Sequence, residues 1–251
     1  MPPSRHVGCF PGCRVITLDL PVAQVVLDHP RCAQLLVERD IDFCCRGTVS
    51  LREACTTRGI DAQTFLADLE SVVESEPEWD TGRDPRSLST LQLVSHIVDQ
   101  HHAYVRKTFP LIELLAARVV EAHSQRDARL AELHATLRTL RGMLESHLHH
   151  AEAVLFPLLI RGARDRRTRE QLDAMRAEHL RAGDTLRKIR TLTDRYGLPS
   201  WACAAYAALM AELEALDRDT LEHVHLENNV LAPRFDAAHT LAPGMQRRRS
   251  G

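Results

Sequence analysis

From about residue 88 onward, apolar residues recur at spacings of three and four in four long segments, roughly 88–122, 127–161, 166–195 and 200–231. That spacing places them on one face of a helix. Leu130, Leu133, Leu137, Leu140 and Leu144 form one stripe, and Leu209, Leu213, Leu216, Thr220 and Val224 form another. Strand-like alternation is absent. The pattern breaks at 123–126, at Gly162 and at the run from Tyr196 to Pro199. Short connections between long helices predict an up-down four-helix bundle over residues 88–235. Upstream, residues 17–75 read as a small domain of short helices, punctuated by Pro21, Pro30 and Gly47, with Asp61 as a helix cap. Residues 76–87, with Pro77, Gly82, Asp84 and Pro85, read as a linker, and 1–16 and 236–251 as a loose lead-in and tail. The fold class expected is all-α.

Composition narrows the function. A net charge of −2, with 44% hydrophobic and 26% charged residues, describes a globular protein with no bias toward nucleic acid. No apolar run approaches the ~20 residues that span a bilayer. The first residues also lack the apolar core of a signal peptide, so a cytoplasmic protein is expected. Seven cysteines, unevenly spread, do not suggest a disulfide framework. The adjacent pair Cys44 and Cys45 reads as reactive or metal-linked thiols. Cys32, Cys55 and Cys203 lie in helical patterns and read as small packed hydrophobes. Cys9 and Cys13, in the lead-in, are two thiols alone and a weak metal signal.

The histidines carry more. Most of the 14 concentrate at His101–His102, His147 to His150, His179, and His223 with His225. His102 stands 45 residues before His147, and His179 stands 44 before His223. The sequences from Val154 to Pro157 and from Val230 to Pro233 match as well. The bundle therefore reads as two helical hairpins of one plan. Alone, a histidine and a glutamate four apart, such as His223 and Glu227, are common on solvated helices. Repeated with one histidine on each helix, they point to a buried metal. Imidazole with carboxylate suits iron, manganese or zinc, and a carboxylate can bridge two ions. His96, His101, His149 and His225 are expected to point elsewhere, whereas His150 can share the face of His147.

The stretch from Asp40 to Gly47, following His29 and Pro30, contains Cys44-Cys45. Together with Glu178-His179 and the run from His223 to Pro233, it makes the chain resemble the RIC (repair of iron centres) family over roughly residues 17–235. The resemblance implies a di-iron centre held by four histidines and two bridging glutamates. Carried over by motif, the ligands are His102, His147, His179, His223 and Glu227. The second glutamate belongs four residues after His147, where this sequence has Ala151; Glu152 follows it. Five residues turn about 500° around a helix, roughly 140° away from the His147 direction. A π-bulge would re-aim Glu152. Three arrangements stay open: Glu152 reaches the metal through a bulge; His150, water or an oxide replaces the carboxylate; or the second iron binds weakly or not at all. The reading adopted is a retained but weakened di-iron site.

The resemblance further implies repair of iron–sulfur clusters damaged by nitric oxide or oxidants, by iron donation, NO reduction or both. Damaged iron–sulfur proteins would be the clients and Cys44 and Cys45 the source of thiol chemistry. Glu178 would stand behind a ligand or on an iron path, and a homodimer could form through the N-terminal domain. Two readings compete: an O2- or NO-binding sensor or carrier without turnover, and a bundle whose metal is structural or lost.

Overall fold

In the computed structural model, residues 15–74 and 84–236 are described. The expected lead-in with Cys9 and Cys13, most of the linker and nearly all of the tail lie outside them. The chain divides into two compact units, Met1–Thr81 and Gly82–Gly251.

The first unit contains four short helices: α1 (Val22–Asp28), α2 (Cys32–Glu38), α3 (Leu51–Arg58) and α4 (Ala62–Glu74). Val22, Val25, Leu36, Leu51, Phe65 and Leu69 make its core, and Cys32 and Cys55 are fully buried among them. Ser50 caps α3 by accepting the Glu53 N–H, and Gly59 ends that helix at φ 67°. A left-handed residue at a helix C-terminus is where glycine costs least. The Cys-Cys segment lies between α2 and α3. It is drawn tight at Gly47, where a Cβ would collide with the Phe43 carbonyl and the Ala23 methyl.

The second unit is built on four long helical rods. Helix α5 (Thr90–His96) runs through a π turn (Ile97–His102) into α6 (Ala103–His123), and α7 (Arg129–His150) runs through a π turn (Ala151–Leu155) into α8 (Phe156–Ile160). Then come α9 (Arg166–Leu192) and α10 (Ala204–Leu226), the latter ending in a third π turn (Glu227–Leu231). Helix α6 packs on α7 and α10, and α9 packs on α7 and α10, which closes a four-membered ring. Every residue of the two predicted stripes is buried inside it. Among the described residues there is no strand, only an isolated bridge between Pro21 and Ser50.

Local chemistry sets where the rods start and stop. Ser89 and Gln92 close a capping box at the start of α5, and Asp165 accepts the Thr168 N–H at 2.8 Å at the start of α9. The predicted break near 196–199 is a turn with three successive left-handed residues, Asp194, Arg195 and Tyr196. Beside it, Arg190 donates two hydrogen bonds to Asp217, at 2.6 and 2.7 Å, pinning α9 to α10 at a buried point. Cys203 departs from the expectation of a packed thiol. It is exposed, stands at the N-cap of α10, and its Sγ is 3.2 Å from His123 Nε2. No described helix is long and apolar enough to cross a membrane.

Candidate metal centre

The π turns decide what faces the middle of the bundle. Each adds a residue to a turn and shifts the helix face beyond it. His102 ends the first π turn, Ala151 opens the second and Glu227 opens the third. His147 and His179 come from regular stretches of α7 and α9, and His223 stands one turn before Glu227. All four imidazoles and Glu227 are buried, Glu227 and His223 at 0% exposure.

The imidazoles form two pairs around one carboxylate. In the first, His102 Nε2 and His223 Nε2 are 3.2 Å apart, and lie 3.9 and 3.3 Å from Glu227 Oε1. In the second, His147 Nε2 and His179 Nε2 are 3.4 Å apart, and lie 3.2 and 2.9 Å from Oε2. Donors that sit ~2.0–2.1 Å from a transition metal stand about 3 Å from one another, so both groups have the dimensions of a metal pocket. Both Glu227 oxygens are wholly buried and accept no well-directed hydrogen bond. A carboxylate so placed is costly unless a cation meets it. The donor set, imidazole with a buried carboxylate, therefore fits a transition-metal cation.

A second layer of groups orients the rings. His102 Nδ1 donates to Glu152 Oε1 at 2.7 Å, His147 Nδ1 to Glu178 Oε2 at 3.0 Å, and His179 Nδ1 to Asn228 Oδ1 at 2.9 Å. Neither a carboxylate nor an amide oxygen has a proton to give, so these bonds put a ring proton on Nδ1 and turn Nε2 inward. His223 differs. Its buried Nδ1 has no hydrogen-bond partner, and its ring stacks on His101 at 5.8 Å between centroids. His101 Nδ1 in turn donates to Asp219 at 2.9 Å.

Electrostatics ties the set together. Burial works against ionisation of Glu227, yet the surrounding imidazoles, His223 and His147 foremost, hold its carboxyl well below the usual range. Burial pushes His223 down to about 3. Burial also opposes the charge on His147, but Glu227 and Glu178 outweigh it and raise that ring to about 9.

Glu152 does not stand among the inward-facing donors. The π turn does re-aim it, but onto the outer nitrogen of His102, where its Oε1 also accepts from Arg106 at 2.7 Å. His150 turns aside as well: its Nε2 is bonded to Gln171 Oε1. Residue-by-residue reading missed His101, Arg106 and Asn228. The repeat held the signal for Asn228, which stands five residues after His223 as Glu152 stands five after His147.

A cavity of about 170 Å³ between α7, α9 and α10 reaches the centre. Met143, Ser146, Glu178 and Arg181 are among its lining residues, together with His147, His179 and His223.

In the first unit, Cys44 Sγ and Cys45 Sγ are 3.7 Å apart and not bonded. Asp42 Oδ1 accepts from the Cys45 N–H at 2.8 Å and lies 3.3 Å from Cys44 Sγ. The hydrogen bond with the Cys45 sulfur, then burial, push the Cys44 thiol well up. Cys44 is therefore held protonated, and Cys45 is the more exposed sulfur. With Asp42, the two thiols are close enough to share a metal ion.

A four-helix bundle with buried histidines gathered around one carboxylate has the donor set of a cation-binding bundle of the hemerythrin type. The sequence model of the hemerythrin HHE cation binding domain matches residues 93–235, and that of ScdA_N, a domain of unknown function (DUF542), matches residues 18–73. The chain belongs to the RIC family, in which these two domains occur together. It is 33% identical to the iron-sulfur cluster repair protein YtfE of Edwardsiella ictaluri, covering 86% of this chain and 96% of that one. It is 31% identical to the iron-sulfur cluster repair protein ScdA of Staphylococcus haemolyticus, covering 88% and 100%. To YtfE of Escherichia coli O157:H7 it is 30% identical, over 86% and 96%.

Proposed function

We propose that this protein repairs iron–sulfur clusters damaged by nitric oxide or oxidants, and that it does so with a di-iron centre. The observation that carries the reading is the pairing of four imidazoles around the single buried carboxylate of Glu227. The names of its relatives, iron-sulfur cluster repair proteins along nearly their whole length, support it.

The reading gives each residue a role. His102 and His223 would hold one iron and His147 and His179 the other, with Glu227 as the carboxylate shared by both. Iron in such a set, with positions left open, supplies ferrous–ferric redox chemistry and binding of small molecules such as NO. Glu152 and Glu178 keep His102 and His147 turned inward by accepting their Nδ1 protons. Glu178 also lines the cavity, a carboxylate beside the route a cation or a small molecule would take. Cys45, the more exposed thiol, is the one placed to exchange with a partner, with Cys44 behind it. Damaged iron–sulfur proteins are the clients, and a homodimer through the first unit belongs to the same reading.

The test is functional and has two arms. An iron-loaded protein should restore activity to an iron–sulfur enzyme whose cluster has been damaged by NO, or should consume NO anaerobically with release of N2O. An iron-loaded, folded protein that does neither would overturn the proposal.

A further inference from the structure

The two halves of the bundle follow one plan, and they differ at the fourth residue after the second histidine of each. His147 and His223 each stand in the last turn of a long helix, and the fourth residue after each, Ala151 and Glu227, opens a five-residue π turn. The backbone there is the same. The Ala151 N–H bonds back to the carbonyls of His147 and Leu148, and the Glu227 N–H to those of His223 and Val224. The fifth residue corresponds too, because Glu152 and Asn228 each accept the Nδ1 proton of the other histidine of their own half. Ala151 is thus the counterpart of Glu227 across the centre, and its methyl group is buried at 1% exposure. Where one half sends a carboxylate between the two pockets, the other ends at Cβ.

Neighbouring acids do not make up the difference. Glu152 is tied to His102 and Arg106, and Glu178 is tied to His147 on the outer side of that ring. Two divalent cations would bring four positive charges to a buried place where, among the described residues, Glu227 is the only carboxylate between the pockets. An uncompensated buried charge of that size is strongly unfavourable. A cavity lined by His147, His179 and His223, with Arg181 on its wall, reaches the imidazoles of the centre.

We infer that the metal-loaded centre takes a small monocarboxylate from solution as a second bridge, at the position opposite Glu227 that Ala151 leaves without a donor. Glutamate differs from alanine by a CH2–COO⁻ group, which is acetate less one hydrogen, so acetate is the fragment that matches the position. This rests on the two-metal reading above.

The experiment loads the full chain with cobalt(II), counts the metal and follows the cobalt d–d absorption during titration with sodium acetate. Two cobalt ions per chain and a saturable spectral change on acetate addition are expected. Ala151→Glu carries its own carboxylate. Its spectrum should match that of the acetate-saturated parent and should not respond to acetate. Ala151→Val fills the space without a donor and should also lose the response, which keeps the test available if the glutamate variant does not fold. Two cobalt ions with no response to acetate, or a response unchanged in both variants, would overturn the inference while leaving the two-metal reading intact. One cobalt per chain would remove both.

Discussion

Glu152 and Asn228 hold the same place in the two halves of the bundle. Each stands five residues beyond a histidine of the centre, inside a π turn. Each accepts the Nδ1 proton of the preceding histidine in its own half, Glu152 from His102 at 2.7 Å and Asn228 from His179 at 2.9 Å. The pair shows what the fifth position is for. It holds an imidazole from behind, and whether it is an acid or an amide sets how strongly that ring is polarised.

Glu152→Ala should therefore weaken metal binding in the His102–His223 pocket by roughly 10–100-fold, as loss of such an outer partner does elsewhere. Asn228→Ala should do the same in the His147–His179 pocket. Glu152→Gln keeps an acceptor and should lose less. Competition against a chelator of known affinity reads this directly. Unchanged affinity in both alanine variants would mean that the rings are held by packing alone.

The same view explains what could be read from residues and what could not. The four histidines were legible because one helical repeat carries both the leucine stripe and the 45- and 44-residue spacings. Glu227 was legible because four residues return to the same helix face. The direction of Glu152 was not. A π turn inserts its extra residue without disturbing the apolar pattern, and its effect on a side chain depends on which neighbour stands there, here His102 with Arg106. His101 was hidden by adjacency to His102; its burial against His223 follows from the π turn over Ile97–His102. Cys203 was misread for a simpler reason. It follows Pro199 by a few residues, so it caps α10 rather than lying within a helix, and a capping position is exposed.

Loading the centre should stabilise the bundle, because metal binds the folded arrangement of the four rings and not the unfolded chain. At a free metal concentration of 100 times Kd, one site contributes about 2.7 kcal/mol. That corresponds to a rise in Tm of roughly 5–10 °C for a domain of this size. Thermal melts with and without ferrous iron, under anaerobic conditions, should show the rise, and a chelator should reverse it. His147→Ala keeps the His102–His223 pair and should show a smaller rise than the parent.

Gly47→Ala should disrupt the first unit selectively. The added methyl meets the Phe43 carbonyl and the Ala23 side chain, both fixed by the surrounding backbone. The Ala23 N–H donates to the Gly47 carbonyl at 3.0 Å, so the contact cannot open without breaking that bond. Accelerated alkylation of Cys44, which is buried in the parent, with iron binding unaffected, is the expected result. Alkylation at the parent rate would show that the segment adjusts.

Asp217→Ala should destabilise the second unit by roughly 3–5 kcal/mol, since it leaves the Arg190 guanidinium buried without its partner. Urea unfolding would measure it. Replacing both residues together by apolar ones should cost less than the single change, which distinguishes a stranded charge from lost packing.

The central claim is that Glu227 joins two metal pockets, each with two histidines. Mössbauer spectra and metal analysis of the full chain loaded anaerobically with ⁵⁷Fe, beside Glu227→Ala, test it most directly. Two irons per chain, both in nitrogen–oxygen environments and both perturbed by the single substitution, is the result predicted. One iron per chain, or two irons of which the substitution leaves either unchanged, would contradict it.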